Sequence, residues 1–146
     1  MEFHFKQVQG LLDNYMSAID EQDVERFLAS YASDIHLYDS WDEWECNGIS
    51  TWRANVQEWF NGLKEEGVAL HIEFKDLVVE EGQELAFARC AITFAAKNAV
   101  SGEELRQVTN RFTFCLRKAN DSWLIIHEHS SLPIEGETGK GIFLSK

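Results

Sequence analysis

The chain has 146 residues, of which 45% are hydrophobic, and it carries a formal net charge of −12. A chain of this length buries roughly two-thirds of its unfolded surface in one core. We therefore expect a single domain over residues 1–133, followed by a C-terminal tail over residues 134–146. The acidity argues against nucleic acid or an anionic membrane as a partner, because both bind clustered Lys and Arg.

The three cysteines show no CxxC spacing, and an odd number fits a reducing compartment better than a disulfide framework. The amino terminus has no apolar run with a basic flank. No window approaches the ~20 apolar residues of a membrane span. We therefore expect a cytoplasmic protein.

The first half of the chain has the period of helices. Apolar residues that recur every three or four positions predict an amphipathic first helix, a short second helix that Asp23 caps and whose apolar positions run from Val24 to Tyr31, and a third helix. The third helix is expected to begin at a Ser50 cap and to reach about Leu63. Residues 35–39 alternate as a short strand would. The segment 40–48 that follows holds two tryptophans among acidic residues, so we expect its rings to cover a cavity or an interface.

From residue 68 onward the period changes to two. This period predicts four strands, at about residues 68–79, 84–97, 105–118 and 122–131. The turn signals between them are short, which indicates an antiparallel meander. Helices followed by a meander form an α+β arrangement in which the helices cover one face of a strongly twisted sheet. The other face would stay open to water or to a second subunit.

The order helix, short helix, strand, helix and long meander resembles the nuclear transport factor 2-like superfamily, a cone-shaped, cystatin-like α+β fold. The ending Trp123-Leu-Ile-Ile-His-Glu-His-Ser-Ser-Leu-Pro133 is similar to that of its SnoaL-like branch. It is also similar to the Trp…His-x-His-x-Ser ending of the calcium/calmodulin-dependent kinase II association domain. Over about residues 5–133, the resemblance implies three N-terminal helices packed on a strongly curved, mainly antiparallel sheet. This scaffold hosts isomerases, dehydratases, cyclases and association modules, so the fold alone does not assign a function.

Bacterial ketosteroid isomerase resembles this chain at two functional positions. By that resemblance, Tyr15 in the first helix falls at the Tyr that donates to a developing oxyanion. The segment Tyr31-Ala-Ser-Asp-Ile-His-Leu-Tyr-Asp39 places Asp39 at the catalytic base. The third position, a protonated Asp in the penultimate strand, falls near Thr113, whose hydroxyl cannot supply the strong donor that a carboxylic acid offers.

The residues alone leave both roles open. Asp39 lies at a strand end beside Tyr38 and Trp41, and it could be a general base if apolar neighbours raise its pKa. It could equally accept the hydrogen bonds of a turn. Tyr15 lies on the apolar stripe of its helix, so burial alone would explain it.

The last strand also leaves open which of its faces looks inward. In a regular strand, His127 and His129 share one face with Trp123, while Glu128 and Ser130 share the other. The resemblance favours the Glu128 face as the cavity side. A β-bulge would reverse this assignment.

Two candidate pockets follow from the strand pairing. A two-residue turn at residues 120–121 would place Thr113 opposite Glu128, and Arg111 opposite Ser130. One candidate pocket is therefore Arg111, Thr113 and Glu128, although an Arg111–Glu128 pair could be a plain structural ion pair. The other candidate is aromatic and holds the two histidines.

His127 and His129 also have the spacing of two metal ligands on one strand face. A zinc site would need further ligands from His36, His71 or the cysteines. We predict no metal site and no cofactor.

The sequence thus predicts a SnoaL-like small-molecule-binding domain, acting as an isomerase or a dehydratase on a lipophilic carbonyl or aromatic compound. Asp39 would be the base, and Tyr15 with Thr113 or Arg111 would stabilise the negative charge. The expected ligand pocket comprises Tyr38, Trp41, Trp59, Arg111, Thr113, His127, Glu128 and His129. The alternative is a non-catalytic association or ligand-sensing module. Both hypotheses predict a homodimer through the outer face of the sheet.

Overall fold

The apolar periodicity of the first half does form three helices in the computed structural model, which describes residues 3–143. They are α1 (Val8–Glu21), α2 (Val24–Leu28) and α3 (Ile49–Glu66). The Asp23 carboxylate accepts a hydrogen bond from the Arg26 backbone N–H, so the predicted cap of α2 is confirmed. The Ser50 cap is wrong, because Gly48, two residues earlier, occupies the cap position, and no side chain caps α3. Gly67 ends α3 in the left-handed conformation that favours glycine.

Within residues 3–143, six strands form one sheet in the order β2-β1-β6-β5-β4-β3. Their bounds are β1 (Tyr31–Tyr38), β2 (Cys46–Asn47), β3 (Val68–Glu81), β4 (Leu85–Asn98), β5 (Glu104–Ala119) and β6 (Ser122–Ser131). β1 runs parallel to β6, and the other neighbours are antiparallel. The predicted α+β architecture with a mainly antiparallel sheet is confirmed.

β1 begins four residues earlier than predicted, and Tyr31 belongs to it rather than to α2. The Asn14 side chain donates hydrogen bonds to the Arg26 carbonyl and to the Ser30 hydroxyl, and α2 ends between these two points of attachment. The chain therefore enters β1 directly after Ser30. Tyr31 then pairs with Ile125 of β6.

Register shifts bend the long strands around the helices. They occur in β3 between Lys75 and Val78, where Asp76 has a positive φ, and in β6, where Ile126 is the extra residue opposite Cys115 and Leu116 of β5. Each extra residue increases the local twist. The β5–β6 connection is the predicted two-residue turn, because Asn120 and Asp121 both take the positive φ that such a hairpin needs.

The core lies between the helices and the concave face of the sheet, which we call the inner face. Its largest fully buried side chains include those of Trp123, Phe27, Phe60 and Phe114. Beyond β6, the chain forms a small hairpin bridged between Ile134 and Gly141. Within residues 3–143, none of the helices is long and apolar enough to cross a membrane.

Candidate functional site

A β-bulge in β6 decides which side chains face the helices. The β5–β6 register shifts between Cys115 and Leu116 and leaves Ile126 as the extra residue. The alternation of β6 therefore reverses at this point. Four β6 side chains are buried on the inner face, two before the bulge and two after it: Trp123, Ile125, Glu128 and Ser130. Neither of the two inward-facing sets that a regular strand would give, Trp123 with the histidines or Glu128 with Ser130 alone, therefore describes β6.

The same shift overturns the predicted partners of Arg111 and Thr113. Thr113 pairs with His129, and Phe114 pairs with Glu128, one residue away from the predicted register. Thr113 and Arg111 are exposed on the outer face, where Arg111 Nε donates to the Ser131 hydroxyl at 3.2 Å. The expected Arg111–Thr113–Glu128 group does not form. Of these three side chains, only that of Glu128 lies on the inner face.

Glu128 is a buried acid, and none of the ion pairs within residues 3–143 includes it. Its side chain is 6% exposed, and its Oε1 accepts a hydrogen bond from the Tyr31 hydroxyl at 2.5 Å. Burial raises the pKa of Glu128 to about 8, and the nearby Asp39 charge adds to the rise, while the Tyr31 hydrogen bond opposes it. Glu128 is therefore mostly a neutral carboxylic acid at pH 7. Because Oε1 accepts from Tyr31, the proton is available to donate from Oε2.

Two tyrosine hydroxyls share the electrostatic surroundings of Glu128. Tyr15 is buried among Phe27, Phe74 and Phe114, with ring centroids 5.0, 6.1 and 5.5 Å away. Burial and then the Glu128 charge raise the pKa of both Tyr15 and Tyr31 well above the ordinary value. Both hydroxyls stay protonated and can act as donors. Sequence reasoning missed Tyr31, because its place on an apolar helical stripe explained it equally well.

Asp39 is held at the rim of the inner face, where part of its side chain remains exposed. The Ser130 hydroxyl donates to Asp39 Oδ1 at 3.2 Å. Partial burial raises the pKa of Asp39, and the Ser130 hydrogen bond opposes that rise. Asp39 is thus a carboxylate of raised basicity with access to water.

An aromatic wall extends from Asp39 across the inner face. Ser130 pairs with Phe112, which in turn pairs with Cys90 of β4. Phe94 lies 5.9 Å from Phe112 and 6.4 Å from Trp59 between ring centroids. Cys90, Phe94 and Trp59 are only half-buried, so solvent reaches this wall. Burial raises the pKa of the Cys90 thiol to about 12, which keeps the wall uncharged there.

The histidines form a separate cluster on the outer face. His127 Nδ1 lies 3.0 Å from the His36 carbonyl oxygen and 2.9 Å from His36 Nδ1. Since the carbonyl only accepts, His127 Nδ1 carries the hydrogen. His36 Nε2 then donates to Glu45 at 2.7 Å. Burial, followed by the His36 charge, lowers the pKa of His127.

The remaining predicted pocket residues are divided between these regions. Tyr38 lies on the outer side, with its ring centroid 5.3 Å from that of His127 and 5.2 Å from that of His129. Trp41 stacks on Phe143, just beyond the C-terminal hairpin, with 5.7 Å between the ring centroids, and Trp44 is 87% exposed. Of the predicted pocket, only Trp59 and Glu128 join Asp39 and Tyr15 on the inner face.

Two surface cavities lie apart from the inner-face group. One, of about 510 Å³, is lined by Leu85, Phe87, Cys115 and Ile126 among others. The second, of about 110 Å³, lies between His71, Lys75, Thr93 and Lys97. Within residues 3–143, no group of three or more His, Cys, Asp or Glu side chains could hold a metal ion.

Comparisons with known proteins agree with this architecture. The model of the SnoaL-like domain family matches residues 8–135. A nuclear transport factor 2-like protein of unknown function from Pseudomonas putida KT2440 is 25% identical, with 95% of this chain and 93% of that chain covered and a TM-score of 0.82. Aln2 from a Streptomyces species is 14% identical, with 85% of this chain and 86% of that chain covered and a TM-score of 0.72.

A third solved structure is a putative calcium/calmodulin-dependent protein kinase II association domain from Xanthomonas campestris. It is 22% identical, with 85% of this chain and 84% of that chain covered and a TM-score of 0.63. The search of curated proteins found no match.

Proposed function

Because this chain belongs to the SnoaL-like domain family, we propose that it binds a small lipophilic ketone on the aromatic wall and moves one of its protons without a cofactor. The observation that carries the proposal is the neutral Glu128 carboxyl, buried and hydrogen-bonded to Tyr31, close enough to the Asp39 carboxylate for the Asp39 charge to raise its pKa. Two carboxyl groups whose surroundings give them different protonation states can serve as acid and base.

The proposed reaction begins with proton abstraction. The Asp39 carboxylate removes a proton from the carbon next to the ketone, and the C–H electron pair forms a carbon–carbon double bond. The carbonyl π pair moves onto oxygen, where the Glu128 proton and the Tyr15 hydroxyl stabilise it. Return of the proton from Asp39 to another carbon completes an isomerisation. Loss of a β-hydroxyl as water, with the Asp39 proton, completes a dehydration.

Exchange of hydrogen for deuterium tests the first step directly. The probe is 4-phenylcyclohexanone in D₂O, with NMR following loss of the protons next to the carbonyl. The partly exposed Asp39 can trade its proton with solvent, so the protein should accelerate exchange. Asp39→Asn should lower the accelerated rate by about 10²-fold or more, since general base catalysis contributes about 10²–10⁴-fold.

Asp34→Asn is the matched control for Asp39→Asn. Asp34 lies on β1, five residues before Asp39, and its carboxylate is paired with Arg117. Its substitution should leave the exchange rate unchanged. Equal rates for Asp39→Asn and wild type would refute the proposed base.

A second candidate function, homodimeric association, is supported by the outer face. Leu85 is 62% exposed and Phe87 is 41% exposed, and both line the larger surface cavity with Cys115 and Ile126. Contiguous apolar surface of this kind is typical of an interaction site. We propose that a second copy of the chain covers it, which is compatible with either an enzyme or an association module.

A further inference from the structure

Asn110 is a buried polar residue that the proposed reaction does not use. It is 2% exposed and shares the inner face of β5 with Phe112 and Phe114, which follow it at two-residue steps. Its neighbour on β4 is Ile92, whose partner on β3 is Phe74. The Asn110 amide is therefore the polar group at one end of the aromatic wall.

A chain of hydrogen bonds fixes the orientation of this amide. The Asp39 carboxylate only accepts, so the Ser130 hydroxyl must donate to it. Ser130 Oγ in turn accepts from the Ser40 backbone N–H at 2.9 Å and from the Ser40 hydroxyl at 3.0 Å. Ser40 Oγ then accepts from Asn110 Nδ2 at 3.2 Å. The amide nitrogen is thus directed to Ser40, since exchanging it with Oδ1 would take the Ser40 hydroxyl proton and break the hydrogen bond between the Ser40 and Ser130 hydroxyls.

The Asn110 Oδ1 atom is left without a hydrogen-bond partner among the residues that the structure describes. It is buried, and no residue in the described range 3–143 donates a hydrogen bond to it. Unpaired buried acceptors are uncommon in folded proteins and lower their stability. The orphaned oxygen lies beside the wall on which the ketone is proposed to bind.

We infer that Asn110 is a ligand-binding residue, and that the ligand is a hydroxylated or N–H-bearing ketone whose second polar group donates to Asn110 Oδ1. The inference rests on the proposed function, since it places the ketone oxygen at Glu128. Phe114 pairs with Glu128, and Asn110 precedes it by four residues, or roughly 14 Å at ~3.4 Å per residue. A ligand with two rings and polar groups at opposite ends fits this span.

Three biphenyls separate the two contacts. In each, a phenol mimics the enol oxygen expected at Glu128, and the opposite end carries hydrogen, hydroxyl or methoxy: 4-hydroxybiphenyl, 4,4′-dihydroxybiphenyl and 4-hydroxy-4′-methoxybiphenyl. Fluorescence titration should show that the dihydroxy compound binds wild type about tenfold more tightly than the methoxy compound, the effect of one hydrogen bond. Asn110→Leu should bring this ratio close to one.

Two further variants keep the test independent of folding. Ser40→Ala leaves the side chain of Asn110 in place but removes the acceptor that orients it, so the ratio should fall part of the way. Thr93→Val is the matched control, because Thr93 is also buried but lies on the outer face, with its hydroxyl bonded to Thr109 at 2.8 Å. Thr93→Val should keep the full ratio, and thermal melting monitors the fold of all three variants.

The outcomes distinguish this inference from the proposed function. A ratio near one in wild type, with all three biphenyls bound and Glu128→Gln weakening each, overturns the role of Asn110 and leaves the acid–base proposal standing. An equal loss of the ratio in Thr93→Val also overturns it, because the effect would then be structural. Failure of all three compounds to bind overturns the inference, whereas an Asp39→Asn exchange rate equal to that of wild type overturns the proposed function itself.

Discussion

Glu128 shows how burial alone can prepare a side chain for chemistry. Its carboxyl lies on the inner face with a tyrosine hydroxyl as its partner. The charged form would lose the hydration that water supplies, so the neutral form is favoured. The same effect is weaker at Asp39, which stays partly exposed. Differences in exposure, rather than in residue type, thus separate the proposed acid from the proposed base.

This burial should make the stability of the protein fall with rising pH. Below pH about 4.5 both folded and unfolded chains hold the Glu128 proton. Between about 4.5 and 8 only the folded chain holds it, so the free energy of unfolding decreases with pH across this window. The total change attributable to Glu128 is on the order of 3–5 kcal/mol.

Urea unfolding from pH 5 to 9 measures this dependence. Glu128→Gln keeps the shape of the side chain without its charge, so its stability should decline less and should exceed that of wild type above about pH 8. Glu73→Gln, at an exposed site on the outer face, should retain the wild-type slope. Parallel pH profiles for wild type and Glu128→Gln would contradict the proposed protonation state.

At the scale of elements, β6 shows which features of the fold the sequence predicts and which it does not. The apolar alternation located this strand and its preceding turn, and the same reasoning located the helices and the cap at Asp23. The bulge at Ile126 was not predictable, because nothing local distinguishes it from Leu124 or Ile125. Its position depends on how the curved sheet fits around the helices. One extra residue therefore moved Thr113 away from Glu128.

The sequence analysis did not identify two residues of the site, Tyr31 and Asn110, for related reasons. Tyr31 fitted the stripe of α2, and only the end of that helix after Leu28 places it on β1. Asn110 lies in a stretch of polar residues, which is typical of a strand that is exposed to solvent. The alternation from Phe112 and Phe114 would have placed it inward, but an inward Asn has meaning only once its partners are known. Sequence reasoning thus locates strands more reliably than it locates polar networks between them.

At the scale of the whole molecule, the sheet has two faces with different proposed roles. The inner face holds the acid–base group, and the outer face holds the histidine cluster and the apolar patch at Leu85 and Phe87. If a second copy covers that patch, the chain should sediment as a dimer. Phe87→Glu would place a charge in the interface and should shift the protein to monomers by analytical ultracentrifugation.

The control for this variant is Val100→Glu. Val100 is also exposed and apolar, but it lies in the turn between β4 and β5, away from the patch. It should leave the dimer intact. A monomeric wild-type protein would contradict the association proposal without bearing on the acid–base pair.

The central claim, that a neutral Glu128 and an ionised Asp39 act together, is tested most directly by the pH dependence of deuterium exchange in 4-phenylcyclohexanone. After subtraction of the protein-free rate, the exchange rate with wild type should rise with pH through the acidic range as Asp39 ionises. It should then fall through about pH 8 as Glu128 loses its proton. With Glu128→Gln the exchange rate should not fall near pH 8, because the amide of the new side chain does not titrate. A wild-type rate that stays level or continues to rise above pH 8 would contradict the account.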